Sequence, residues 1–201
     1  LTIDGKAGAE VYTAATTKDQ ALICYDTARD IALSSPILEG RLKKYQYQIV
    51  GIRDGIEKGK MKAVSSDSDT LDGLRPHMAI VDEYHAHKTD AVYNVLKSGM
   101  GSAVNPILFT ITTAGFNKNS PCYRQRRYVQ DVLSGALPND DSLFGIIYTI
   151  DENDDWRDEK SWVKANPNLG VSVDIDFLRD ELKQALVSGS KEVNFKTKYL
   201  D

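Results

Sequence analysis

The chain is short of the residues that build metal or disulfide scaffolds. Its two cysteines, Cys24 and Cys122, lie far apart without C-x-x-C spacing, which excludes a disulfide framework and a cysteine-based zinc module. Free thiols in a chain of 201 residues fit a reducing compartment. No apolar run approaches the ~18 residues of a membrane span, and no signal-peptide pattern opens the chain, so a soluble intracellular protein is expected. The first residue is Leu1 rather than Met, and LTIDG reads as the end of an element already under way, so a fragment is expected. Charge of neither sign dominates: 25 basic residues face 29 acidic ones, for a net charge of −4. The global basic footprint of a dedicated nucleic-acid binder is therefore missing, and any such contact is local. With 41% apolar residues the chain can build one sizeable domain, or a domain plus a small appendage.

Histidine is equally scarce, and its distribution poses the main question. All 3 histidines, His77, His85 and His87, fall within HMAIVDEYHAH at 77–87, with Asp82 and Glu83 between them. Two readings are open. The stretch is a metal site, or it is a buried strand ending in two carboxylates beside a nucleotide. H-x-H binds zinc in some proteins, but neither HExxH helix spacing nor a cysteine pair accompanies it here.

The pattern along the chain is that of an α/β sheet. AEVYTAA (9–15) reads as a strand, and TTKDQ gives an N-cap-like start to a helix running to about Ser34. Pro36 is expected to open a second helical stretch to about Lys44. YQYQIVGI (45–52) and KMKAVSSD (60–67) read as strands around Asp54-Gly55 and Gly59, and SSDSDTLDGLRP as a polar loop. MAIVDE (78–83), PILFTITTAG (106–115) and LFGIIYTI (143–150) are apolar runs of the kind expected in strands covered on both faces. Helices are expected over about 89–99 and 122–134, between those runs, which argues for a mostly parallel sheet. After Ile150 an acidic stretch, turn chemistry at NPNLG and two helical patterns, about 174–188 and 192–200, suggest a small helical appendage.

Ligands of open α/β sheets bind at the carboxyl ends of the strands. There, Asp82 suits a Mg²⁺ ion and Glu83 a water to be polarised for attack on a γ-phosphate. A solvated loop is the competing reading of the same pair. Thr110, Thr112, Thr113 and Gly115 bring hydroxyls and a turn to a second strand end, although threonine is also simply a good strand residue. No G-x-x-x-x-G-K-[ST] phosphate loop occurs; GIRDGIEKGK (51–60) has the wrong spacing and reads as a hairpin.

Taken in order, AEVYTAATTKDQA (9–21), GLRPHMAIVDEYHAH (73–87), TITTAGFNKNSPCY (110–123) and SWVKANPNLGVSV (161–173) resemble the ATPase half of a tailed-bacteriophage terminase large subunit of the HK97-like type. The resemblance implies a P-loop NTPase-type fold of the additional-strand, conserved-glutamate class, with flanking helices and a helical C-terminal appendage. It implies an ATPase core over residues 1–150 and a linker or lid subdomain over 151–201. Walker A is expected upstream of Leu1 and the nuclease carboxylates downstream of Asp201. The Walker A strand is expected between the Walker B and coupling-motif strands, leaving a gap in this sheet to be closed by rearrangement or by a partner chain.

By the same resemblance Asp82 is the Walker B aspartate on Mg²⁺, Glu83 the catalytic glutamate, and Thr112, Thr113, Ala114 and Gly115 the coupling motif. Arg75 and Arg53 are candidates for an arginine finger, and Lys118, Arg124, Arg126 and Arg127 for contacts to DNA. Each of these basic residues also reads as an ordinary solvated side chain. The implied activity is Mg²⁺-dependent ATP hydrolysis coupled to packaging of double-stranded DNA, with an endonuclease in the full-length protein and an inactive isolated fragment. The implied partners are DNA, a portal protein, a small terminase subunit and further copies in a ring, in the host-cell cytoplasm and outside the mature virion. A helicase-like ATPase and a noncatalytic docking fragment are the alternatives.

Overall fold

β-prone residues alternating at 10–15 form β1 (Glu10–Ala15), which leads into α1 (Lys18–Ser34). Thr17 caps the helix by accepting the Gln20 N–H, as the TTKDQ signature predicts. Thr13 Oγ1 ties the strand to the helix by donating to Ala21 O at 3.0 Å. The computed structural model describes residues 1, 6, 8–65, 71 and 73–200, and the chain forms two compact units, Leu1–Thr112 and Thr113–Asp201.

Beyond α1 the antiparallel side of the sheet departs from expectation. Only Pro36–Leu38 is helical, as one 3₁₀ turn, and Leu42–Lys44 forms strand β2. Gly40, with φ 71°, takes the backbone out of the helical region, and 42–44 then pairs antiparallel with β3 (Ile49–Arg53). The tyrosines at 45 and 47 belong to the intervening turn rather than to the strand, with the Tyr45 N–H donating to Gln48 O at 2.8 Å. Asp54 and Gly55, both at positive φ, make the tight connection to β4 (Ile56–Ser65). Gly59 lies within β4, where a Cβ would stand 2.7 Å from Ala9 O. Part of the expected polar loop, 66–70 and 72, lies outside the described residues.

The remaining strands of the first unit are β5 (Met78–Val81) and β6 (Ile107–Thr110), with α2 (Ala91–Gly99) between them. The six-stranded sheet runs β2-β3-β4-β1-β5-β6, antiparallel in the first two pairings and parallel in the other three. The expected mid-sheet gap is corrected: β5 pairs directly with β6 in the register Met78↔Ile107 to Val81↔Thr110. Strands so bonded lie about 4.8 Å apart, leaving no space for another between them. α1 covers one face through Tyr25, which packs with Ile49 and Met61. Gly99 ends α2 in close contact with the 74–76 loop; a Cβ there would meet Leu74 O at 2.5 Å.

In the second unit α3 (Pro121–Leu133) is capped by Ser120, with Pro121 in its first turn. The expected strand at 143–150 is extended but carries no strand pairing among the described residues; Phe144, Ile146 and Tyr148 are exposed. Gly145 lets it approach α3, since a Cβ would lie 2.5 Å from Val129 Cγ1. Three helices follow, α4 (Glu159–Ala165), α5 (Ile175–Ala185) and α6 (Gly189–Tyr199). The last two match the expected patterns, whereas α4, flanked by the acidic stretch and NPNLG, was not anticipated. Their core is aromatic: Trp156, Trp162 and Phe195 pack with Leu178, Ala185 and Leu200. The Trp162 indole donates to Trp156 O at 2.9 Å, so its one polar group is satisfied inside the core.

Trp162 is fully buried (0% exposed), and truncating it removes both the ring contacts and this hydrogen bond. Trp162→Ala is expected to destabilise the second unit by about 3–5 kcal/mol, read from urea unfolding followed by Trp156 fluorescence.

Candidate active site

The parallel pairings direct the carboxyl ends of β4, β1, β5 and β6 to one edge of the sheet. The ladder continues one residue beyond β5 on each side: Asp82 N–H donates to Ala14 O at 2.8 Å, and Ile111 N–H donates to Val81 O at 2.9 Å. Asp82 is therefore held in register by the backbone ladder. Its Oδ1 accepts the Glu83 N–H at 2.9 Å. Glu83 then turns the chain with φ 49° and ψ 48°, left-handed geometry that costs a non-glycine residue roughly 1–2 kcal/mol. Backbone strain of this kind concentrates at functional positions.

The turn that follows is stitched to the end of β6. Tyr84 N–H donates to Ile111 O at 3.3 Å, and His85 N–H donates to Thr112 Oγ1 at 2.9 Å. The structure thus brings Asp82, Glu83 and Thr112 together at adjacent strand ends. Thr112 closes the first unit, while Thr113, Ala114 and Gly115 open the second.

The histidines divide. His77 precedes β5, at the end opposite the carboxylates, and among the described residues no three His, Cys, Asp or Glu side chains gather as metal ligands would. His87 is buried against Tyr84, ring centroids 5.6 Å apart. Burial pushes its pKa down, against a hydrogen bond with the Asp82 backbone. His85 Nδ1 lies 3.2 Å from Thr112 Oγ1 and 3.0 Å from Glu83 Oε2. Sequence reasoning left both out of the site; the signal available was their position, two and four residues after Glu83. Cys24 lies on α1 as a free thiol. Burial raises its thiol pKa, as does the Asp82 carboxylate near enough to repel a thiolate, so this cysteine is poorly suited to nucleophilic chemistry.

The basic candidates sit elsewhere. Arg75 is exposed at the amino ends of the strands, where its N–H donates to Glu10 Oε2 at 3.2 Å. That carboxylate also takes the Tyr12 hydroxyl and Lys60; burial opposes its ionisation, but these partners hold its pKa below the usual value. Arg53 is exposed beside the Asp54-Gly55 turn. Both lie at the amino ends of the parallel strands, opposite the Asp82–Glu83 edge. In the second unit Lys118 and Arg127 are exposed, Arg126 is half-buried, and Arg124 donates to Asn119 O at 3.2 Å.

The mixed sheet, with an Asp-Glu pair ending an interior parallel strand and a hydroxyl-bearing neighbour, has a P-loop-type α/β fold. The family model described as terminase large subunit, ATPase domain, matches residues 1–131, and that described as terminase large subunit, endonuclease domain, matches residues 138–201. The chain belongs to the terminase large subunit family. It is 51% identical over 130 residues to Protein YmfN of Escherichia coli (strain K12), covering 65% of this chain and 28% of that protein. It is 24% identical over 166 residues to the terminase large subunit of Enterobacteria phage HK97, covering 81% of this chain and 31% of the relative. The chain therefore spans about a third of these relatives. The crystal structure of the HK97 bacteriophage large terminase shares the fold, with a TM-score of 0.82, 21% identity, and coverage of 98% of this chain and 40% of that one.

Two outcomes follow from this geometry. Glu83→Gly relieves the left-handed backbone and is expected to stabilise the first unit by about 1 kcal/mol in thermal unfolding. His87 is protonated less readily folded than unfolded, so its contribution to stability is full above an unfolded pKa of about 6.5 and is lost as pH falls through the lower folded value. Melting temperature is expected to drop over that window, and to drop less in His87→Gln.

Proposed function

We propose that this chain is part of an ATP-driven motor that moves double-stranded DNA into a viral procapsid. The observation that carries the reading is the junction of Asp82, Glu83 and Thr112 at adjacent parallel strand ends, in a chain of the terminase large subunit family. Mg²⁺ suits the donor set there: the ion keeps most of its waters and takes one or two carboxylates plus phosphate oxygens, and Asp82 has a carboxylate oxygen beyond the one that accepts the Glu83 N–H. When bound with ATP it neutralises charge developing on the transferred phosphoryl group. Asp82 holds the metal, Glu83 orients and polarises the attacking water, and Thr112, Thr113, Ala114 and Gly115 carry the change of phosphate state into the second unit.

In this reading residues 1–150 act as the ATPase core and 151–201 as the linker or lid leading to the nuclease, whose family model reaches back to residue 138. Arg75 or Arg53 supplies positive charge in trans within a homo-oligomeric ring, and Lys118, Arg124, Arg126 and Arg127 meet the DNA backbone. The portal protein and the small terminase subunit are its partners, in the host cytoplasm before the virion is complete. No described helix is long and apolar enough to cross a membrane. Activity belongs to the full-length protein, since no Walker A motif occurs in residues 1–201.

The test is Glu83→Gln in the full-length large subunit. ATP binding is expected to persist while hydrolysis and packaging of DNA into empty capsids fall by at least roughly a hundredfold, the scale of a lost general base. Normal turnover would remove Glu83 from the chemistry; hydrolysis that unwinds duplex instead of translocating it intact would favour a helicase.

A further inference from the structure

His85 is not an incidental loop residue. Glu83 Oε2 is enclosed and makes no hydrogen bond of its own, a costly state for a carboxylate oxygen unless a compensating dipole or charge stands nearby. His85 Nδ1, 3.0 Å away, is that group. The ring is largely buried, its side chain 18% exposed against 45% for Glu83, so it is the better fixed of the two. It is fixed by Thr112, whose hydroxyl accepts the His85 backbone N–H at 2.9 Å and lies 3.2 Å from the same Nδ1. Tyr84, one residue earlier, is anchored by its N–H to Ile111 O and by ring contacts with His87 and Tyr93.

We propose that His85 is a positioning residue that links Glu83 to Thr112 and so connects the proposed water-polarising group to the coupling motif. The inference rests on the proposed role of Glu83. A single Nδ1 faces both the carboxylate and the hydroxyl, and one N–H cannot serve both at full strength. Movement of Thr112 therefore changes how firmly His85 holds Glu83. The connection works in both directions: displacement of Glu83 toward a bound water frees His85 to bond Thr112.

The test uses the full-length large subunit with Mg-ATP and DNA, and compares His85→Asn with His85→Gln. An asparagine amide reaches the place of Nδ1, whereas a glutamine amide reaches that of Nε2. His85→Asn is expected to keep most of the wild-type kcat, and His85→Gln to lose roughly ten- to a hundredfold in kcat with KM for ATP changed less than about twofold. Adding His85→Gln to Glu83→Gln is expected to lower the residual rate no further, because both act through one group. Equal rates for the two His85 variants, whether high or low, would overturn the role. So would a further loss in the double variant. Wild-type turnover in Glu83→Gln alone would instead overturn the reading of Glu83 beneath it, so the two failures are told apart.

Discussion

The site depends on the hydrogen bonding of a four-residue strand to neighbours on both sides. β5 has parallel partners in β1 and β6, and the ladder runs past its last residue to fix the Asp82 backbone. The register sets the position of the Asp82 backbone, and the side chain adds one hydrogen bond, from the Glu83 N–H. A slip of one residue would turn Asp82 to the opposite face of the sheet and bring an apolar side chain to its place. The same ladder permits the left-handed turn at Glu83, because the chain before it and the turn after it are both tied to neighbouring strand ends. Strain at Glu83 is thus a product of the rigidity that aims the carboxylates.

What was legible in the sequence was whatever local pattern and global fold agreed upon. β1, β5 and α1 carry apolar runs, a cap and strand-end carboxylates close together in sequence and lie near their expected bounds, whereas the run expected over 106–115 forms a strand, β6, only over Ile107–Thr110. The antiparallel side was harder to read. Pro36 starts a helical turn as proline often does, but Gly40 takes a left-handed conformation and Leu42–Lys44 finds a partner in β3, a pairing whose hydrogen bonds override weak local preference. The mid-sheet gap was implied by the family resemblance rather than by any residue, and the direct β5–β6 pairing corrects it. His85 was illegible for a different reason. Its contacts lie two residues away at Glu83 and 27 away at Thr112, and nothing in its own neighbourhood advertises the second.

The second unit shows which forces carry its stability. Arg179 binds Glu159 through two hydrogen bonds, at 2.7 and 2.8 Å, and Lys164 gathers Asp151 and Asp154 from the acidic stretch, but these pairs are exposed to solvent. Screened pairs of this kind contribute little. They set where the acidic loop and α4 meet, while the enclosed tryptophans and Phe195 supply the energy. The acidic stretch that looked like a linker in sequence is therefore the entrance to a folded aromatic core.

The extended stretch at 143–150 turns alternate apolar side chains outward. Phe144 is 82% exposed, Ile146 and Tyr148 alternate with it along the same side, and no ladder partner is assigned among the described residues. β6 stands at the end of the sheet and exposes Ile107 and Phe109. The opposite edge strand, β2, carries Lys43 and Lys44, charges of the kind that discourage strand addition. The two ends of the sheet therefore differ in chemistry, charged at β2 and apolar at β6.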